Sequence, residues 1–129
     1  MKVYEFGDKN KPVIMLLPGT MCYRKGNFGG VIAGLSEDFL VAAVSYTGFD
    51  ENDSEDYNSV IDETEKIERY VKKHYNGKIL AIYGCSLGGT FAAQLAARHK
   101  IHITKLPTQI DNEKRKFTCF MREKWGISI

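Results

Sequence analysis

Residues 84–89 read Gly-Cys-Ser-Leu-Gly-Gly and place Ser86 in a G-x-S-x-G pattern. Gly84 and Gly88 lack a Cβ, so the chain can turn from a strand into a helix within a few residues. Such a turn exposes the Ser86 hydroxyl at the end of a sheet, and the backbone N–H of Leu87 points toward a developing oxyanion. A serine nucleophile beside an oxyanion donor predicts acyl transfer at an ester, thioester or amide bond.

A second loop could complete this oxyanion hole. The apolar segment Val13 to Leu17 runs directly into residues 18–21, Pro-Gly-Thr-Met. Together with the serine motif, or elbow, this loop resembles the α/β-hydrolase family, in which a strand followed by His-Gly supplies the second oxyanion donor. Pro18 stands where the family usually has histidine. The resemblance implies that the donor is the backbone N–H of Thr20, with Met21 as the alternative.

The order of acidic residues and histidines after Ser86 departs from the order of the family's catalytic triad. The family orders its triad as Ser, then Asp or Glu, then His. His99 and His102 follow the serine, but the next acids, Asp111 and Glu113, come after both histidines. Thirteen helical positions of about 1.5 Å put His99 roughly 20 Å from the serine. His102 begins a parallel strand and His74 ends a helix, so we expect all three histidines at the opposite end of the sheet.

The elements that must hold these residues alternate between strand and helix. Strands are predicted at Lys2–Gly7, as an edge, and at Val13–Leu17, Leu40–Val44, Lys78–Tyr83 and Ile101–Leu106. Helices are predicted over Phe28–Phe39, from a cap at Ser54 to Asn76-Gly77, and over Thr90–His99. Strands separated by helices indicate an α/β fold. The expected architecture is a partial α/β-hydrolase fold, a three-layer sandwich with a mostly parallel sheet of about four to five strands and flanking helices.

The segment from Ser45 to Asp53 reads as a polar loop, and the helix after Ser54 carries one buried stripe. The stripe is predicted to consist of Tyr57, Val60, Ile61, Thr64, Ile67, Val71 and His74.

The resemblance divides the chain into a hydrolase-like domain, residues 1–103, and an atypical tail, residues 104–129. The tail has six basic residues against three acidic ones and no clear sheet rhythm. Because both triad partners are missing and the tail differs in character, we interpret the chain as a truncated hydrolase. The central strand then has at most one further strand beside it, and an exposed parallel edge predicts self-association.

Composition excludes several functions. The net charge is +2, which gives no basic field for nucleic acid, and the apolar runs are too short to span a bilayer. The three cysteines are spread out and form no metal box or disulfide framework, and Cys85 is expected to point into packing. We therefore predict a cytoplasmic protein with no metal or cofactor and without nucleic-acid or membrane partners. The resemblance implies a small-molecule ester or amide as the substrate.

Three functions remain open from the sequence. The first is a serine hydrolase that acts through an acyl-enzyme on Ser86. The second is a catalytically inactive remnant that keeps the pocket or binds a partner. The third is a flavodoxin-like binding module in which residues 84–89 cradle a phosphate, although the chain lacks the phosphate-loop lysine and a Rossmann fingerprint.

Overall fold

The computed structural model describes residues 1–18, 32–49, 54–84 and 87–105. The strands are β1 (Lys2–Phe6), β2 (Val13–Leu17), β3 (Leu40–Ser45), β4 (Lys78–Gly84) and β5 (His102–Lys105). The helices are α1 (Val60–His74) and α2 (Leu87–Arg98), and residues 32–35 form a further helical turn. The strands confirm the sequence prediction to within one or two residues. Of the helix predicted over Phe28–Phe39, the first four residues lie outside the described ranges.

The five strands form one sheet in the order β1-β3-β2-β4-β5. β1 runs antiparallel to β3, whereas β2 is parallel to β3 and β4, and β4 is parallel to β5. This is the partial α/β-hydrolase architecture that the sequence predicts. β4 lies between two neighbours, and β5 is the outermost strand of the described sheet. The residues after Lys105 lie outside the description, so self-association through this edge stays a prediction.

Strands β2 and β3 are buried along their whole length. Every residue of β2 and β3 is buried, because both faces of the sheet are covered. One face packs under α1 and α2 around Met15, Ile67 and Phe91. The other packs under the helical turn at residues 32–35. Continuous apolar runs therefore become strands at the middle of a three-layer sandwich.

Helix α1 begins five residues later than the sequence analysis predicts. Its N-cap is Ser59, whose Oγ accepts a hydrogen bond from the backbone N–H of Asp62 at 3.1 Å. Ser54 is exposed and lies outside the helix, so its prediction as the cap is wrong. The physical difference is local, because Ser59 has an acid three residues later and Ser54 has Tyr57 there. The helix ends as predicted, with Asn76 and Gly77 both at positive φ.

The buried face of α1 is also only partly the predicted one. Thr64, Ile67 and Val71 are buried as predicted, but the side chains of Ile61 and His74 are exposed. The face instead includes two buried acids, Glu63 and Glu68. Glu68 accepts from the Nε of Arg98 at the end of α2 at 3.0 Å, which explains how a carboxylate can be buried there.

The cap can be tested by a pair of serine variants. We expect Ser59→Ala to lower the free energy of unfolding by about 1 kcal/mol, because the N–H of Asp62 loses its acceptor. Ser54→Ala, made in the same extended segment, should change it by less than about 0.5 kcal/mol. Urea unfolding followed by circular dichroism measures both. Equal effects of the two substitutions would contradict the placement of the cap at Ser59.

Candidate active site

The carboxyl ends of β2 and β4 lie side by side. Leu17, the last residue of β2, pairs with Gly84, the last residue of β4. Helix α2 begins at Leu87, so its first N–H groups lie just beyond this edge of the sheet, and the first N–H groups of a helix have no partner within it. The loop that follows β2 at Pro18 starts from the same edge. The topology thus brings together Leu17 and Gly84, the described residues from which the two segments assigned to an oxyanion hole depart.

Two glycines allow this close packing. A Cβ on Gly88 would overlap the carbonyl of Leu17 and would lie 2.9 Å from the Leu17 Cβ. A Cβ on Gly84 would overlap the carbonyl of Gly88 and lie 2.6 Å from the N of Gly89. Neither glycine has a positive φ, so the requirement is for space rather than for an unusual backbone conformation. Gly89 differs, because among the described residues a Cβ there would meet only the Gly84 carbonyl oxygen, at 3.9 Å.

The predicted site residues divide between the described ranges and the remainder. Ser86, Cys85, Thr20 and Met21 lie outside the described residues, so the predictions for the nucleophile and for the second oxyanion donor stay predictions. Gly84, Leu87 and Gly88 are described. Gly84 is the last residue of β4, Leu87 is the first residue of α2, and Gly88 packs against the end of β2.

A buried tyrosine that the sequence analysis missed lies next to this edge. The segment from Ser45 was predicted to open a polar loop, but Ser45, Tyr46 and Thr47 are all buried. The Tyr46 hydroxyl donates a hydrogen bond of 2.7 Å to the carbonyl of Pro18. Its ring packs 4.6 Å, centroid to centroid, from the ring of Phe91 on α2. Tyr46 therefore contacts both the β2 end and the helix that follows the elbow.

The residue after Tyr46 is held by a buried carboxylate. Glu63 Oε1 accepts from the backbone N–H of Thr47 at 2.8 Å and from its Oγ1 at 3.0 Å. Lys66 Nζ donates to the same Oγ1 at 2.9 Å and lies 4.0 Å from Glu63 Oε2. Burial, together with the negative charges of Glu63 and Asp62, raises the pKa of the nearby Tyr57 above its ordinary value. This cluster fixes the start of the β3–α1 connection.

The chain's three histidines lie away from the elbow. His102 pairs with Lys78 at the first residue of β4, six strand positions or roughly 20 Å from Gly84. His74 ends α1 and lines an open cleft with Pro12 and Ile79, at the amino ends of β2 and β4. His99 directly follows the last residue of α2 and has a φ of 51°. No histidine of this chain therefore lies near the end of the sheet that carries the elbow.

Within residues 1–18, 32–49, 54–84 and 87–105, no three His, Cys, Asp or Glu side chains group as metal ligands. In those same ranges no helix has the length and apolarity that crossing a membrane requires.

The strand order, the paired ends of β2 and β4 and the packed glycines define the class of protein. The chain belongs to the alpha/beta hydrolase fold family, whose model matches residues 12–109, more than half of the sequence. Among curated proteins, no sequence matches the chain.

Solved structures agree with this assignment. A candidate alpha/beta hydrolase family protein from Desulfitobacterium hafniense is 26% identical with a TM-score of 0.76, covering 81% of this chain and 42% of its own. A candidate lipase from Acinetobacter baumannii AYE is 30% identical with a TM-score of 0.69, covering 81% and 35%. A carboxylesterase structure from the thaumarchaeon Nitrososphaera gargenis shares the fold at 19% identity and a TM-score of 0.70, covering 98% and 50%. The chain thus spans half or less of the length of each of these proteins.

Proposed function

We propose that this chain carries the nucleophile and oxyanion half of a serine-hydrolase site. In this proposal Ser86 attacks the carbonyl carbon of a small-molecule ester, thioester or amide and forms an acyl-enzyme. The backbone N–H of Leu87 and that of Thr20, or alternatively Met21, stabilise the oxyanion of the tetrahedral intermediate.

One observation carries the proposal: Leu17 pairs with Gly84, with Gly88 packed directly against the Leu17 carbonyl. This contact supports a site in which a serine between Gly84 and Leu87 faces the chain that leaves β2 at Pro18. The start of α2 adds the partial positive charge of a helix N-terminus, which favours an oxyanion. The family match and the likeness to a candidate lipase support an acyl substrate.

The histidine positions favour a second candidate for the 129-residue chain by itself, a pocket that binds acyl compounds with little turnover. His74, His99 and His102 all lie at the other end of the sheet, so none of them supplies the proton transfer that a serine nucleophile needs. A serine without a base has a hydroxyl pKa far above neutral pH. Both candidates share Ser86 and the oxyanion hole and differ in rate.

The nucleophile is tested by prolonged incubation with a fluorophosphonate probe, followed by peptide mapping. We expect a slow but selective adduct at Ser86, because an oxyanion hole accelerates attack at one serine even without a base. The controls are Ser86→Ala, which should abolish the adduct, and Ser54→Ala, which removes an exposed serine and should leave it unchanged. An adduct distributed over several serines, or none at position 86, would refute the proposal.

The rate of turnover distinguishes the two candidates. We expect the 129-residue chain to hydrolyse a short-chain nitrophenyl ester at least about 10⁴-fold more slowly than a serine hydrolase with an intact triad, since loss of the triad acid or base lowers the rate by roughly 10⁴- to 10⁶-fold. Initial rates are compared with those of Ser86→Ala. Rapid turnover that depends on Ser86 would show that the chain has a base, and would overturn the second candidate.

A further inference from the structure

Tyr46 joins the two backbone segments that flank the proposed oxyanion hole. Its side chain is fully buried, and its hydroxyl donates to the Pro18 carbonyl at 2.7 Å. Because the peptide unit is planar, a hydrogen bond that fixes this carbonyl also fixes the direction in which the chain leaves β2. A buried hydrogen bond is stronger and better defined than an exposed one, since no water competes for either partner.

The ring of Tyr46 contacts the other segment. It packs against Phe91 at 4.6 Å and against Phe49, edge to face, at 5.7 Å. Phe91 is itself fully buried and lies four residues after Leu87, so the two share one face of α2. A displacement of the Tyr46 ring is therefore transmitted to the first turn of the helix.

Tyr46 is held from its own backbone as well. The next residue, Thr47, donates hydrogen bonds from both its N–H and its hydroxyl to the buried Glu63. Lys66 donates a further hydrogen bond to the oxygen of the same hydroxyl. These bonds tie the end of β3 to α1. Tyr46 consequently has a fixed main chain, a packed ring and a directed hydroxyl, which are the requirements for a residue that positions others.

We propose that Tyr46 is a positioning residue that sets the separation between the chain at Pro18 and the start of α2. The inference rests on the proposed function for its chemical meaning, because these segments carry the two oxyanion donors. Tyr46 does not touch the acyl substrate. It acts by holding two backbone N–H groups at the spacing that one oxyanion requires, so that no reorganisation is needed when charge develops.

The test compares Tyr46→Phe with Tyr75→Phe. Both substitutions remove one tyrosine hydroxyl from a hydrogen bond, but Tyr75 donates to Glu5 at the other end of the sheet. The first readout is amide hydrogen exchange, measured in the proteolytic fragment that contains Pro18. The second is the saturable reaction of Ser86 with a fluorophosphonate, separated into the rate at saturation and the concentration at half-saturation.

We expect Tyr46→Phe to raise exchange at the Pro18 peptide and to lower the saturated rate at Ser86 at least about tenfold, with half-saturation unchanged. Tyr75→Phe should match the unsubstituted chain in both. Unchanged exchange in Tyr46→Phe overturns the inference, as does an unchanged saturated rate in a chain that labels at Ser86. If the unsubstituted chain does not label at Ser86, the proposed function fails, and the exchange measurement alone decides the role of Tyr46.

Discussion

Replacing Gly88 by alanine is expected to lower the free energy of unfolding by at least about 3 kcal/mol, the upper end of overpacking penalties. The added Cβ would overlap the Leu17 carbonyl oxygen and would also crowd the Leu17 Cβ at 2.9 Å. The obstacle is main chain in the middle of the sheet, which cannot rotate away as a flexible side chain can. Relief requires that α2 and β2 move apart, and the elbow geometry is lost with the stability.

Gly89→Ala is the matched control, because it changes the next residue of the same helix. Within the part of the chain that the structure describes, a Cβ on Gly89 would make only an ordinary contact, 3.9 Å from the Gly84 carbonyl oxygen. An alanine there should stabilise the chain by up to about 1 kcal/mol through helix propensity. Thermal unfolding followed by circular dichroism distinguishes the expected loss of stability in Gly88→Ala from the expected gain in Gly89→Ala. If Gly88→Ala proves as stable as Gly89→Ala, the close contact between α2 and β2 is wrong.

The second large effect is expected at Glu63, whose loss should destabilise the chain by about 2 to 4 kcal/mol. In Glu63→Ala, the buried N–H and hydroxyl of Thr47 lose their acceptor, and Lys66 loses the nearest buried carboxylate. A buried donor without a partner keeps its full desolvation penalty. Urea unfolding measures the change.

Two variants isolate the cause. Glu63→Gln keeps an oxygen that can accept from Thr47, so it should lose less than half of what Glu63→Ala loses. Glu65→Ala removes a carboxylate on the same helix that is 45% exposed and pairs with Arg69 and Arg98 at 4.0 and 3.6 Å. Such an exposed pair should contribute less than about 1 kcal/mol. A similar loss in Glu65→Ala would show that charge on α1, and not the bond to Thr47, is responsible.

The sheet could be predicted from the sequence because its signal is local. Continuous apolar runs such as Val13–Leu17 and Leu40–Val44 are typical of strands covered on both faces, and both are buried throughout. The glycine spacing around residue 86 likewise predicted where a strand would turn into a helix. The approach of Gly88 to Leu17 follows once β2 and β4 are neighbours.

The sequence predictions are wrong where contacts between residues far apart in the chain determine which side chains are buried. Glu63 and Glu68 have the periodicity of a helix's inner face, but acids are expected outside unless a partner is known. Their hydrogen-bond donors, Thr47 and Arg98, lie outside α1, and nothing in the pattern of α1 indicates them. The helix start is a different case, since an acid three residues after Ser59 was a readable local signal.

Tyr46 was missed for a similar reason. In sequence it follows a buried strand and precedes polar residues, which is typical of the first residue of a loop. Its hydroxyl donates to the carbonyl of Pro18, which directly follows the neighbouring strand β2, and no local pattern in the sequence indicates this contact. A tyrosine directly after a buried strand is therefore worth testing as a link between loops in this family's fold.

The order of the strands also sets when the site can assemble during synthesis. On one side β2 pairs with β3, the next strand to be synthesised. On the other side it pairs with β4, so Ile14 has no partner there until Ala81 has been synthesised. Such non-local pairing is slow to form, and a ribosome adds about 5–20 residues per second, so this edge of β2 stays open for roughly 3 to 13 s. A nascent chain exposes an apolar edge throughout that interval, which is an opportunity for aggregation or for a chaperone. The pairing that closes the edge also brings Leu17 beside Gly84, so the same step protects the edge and aligns the strand ends that carry the proposed site.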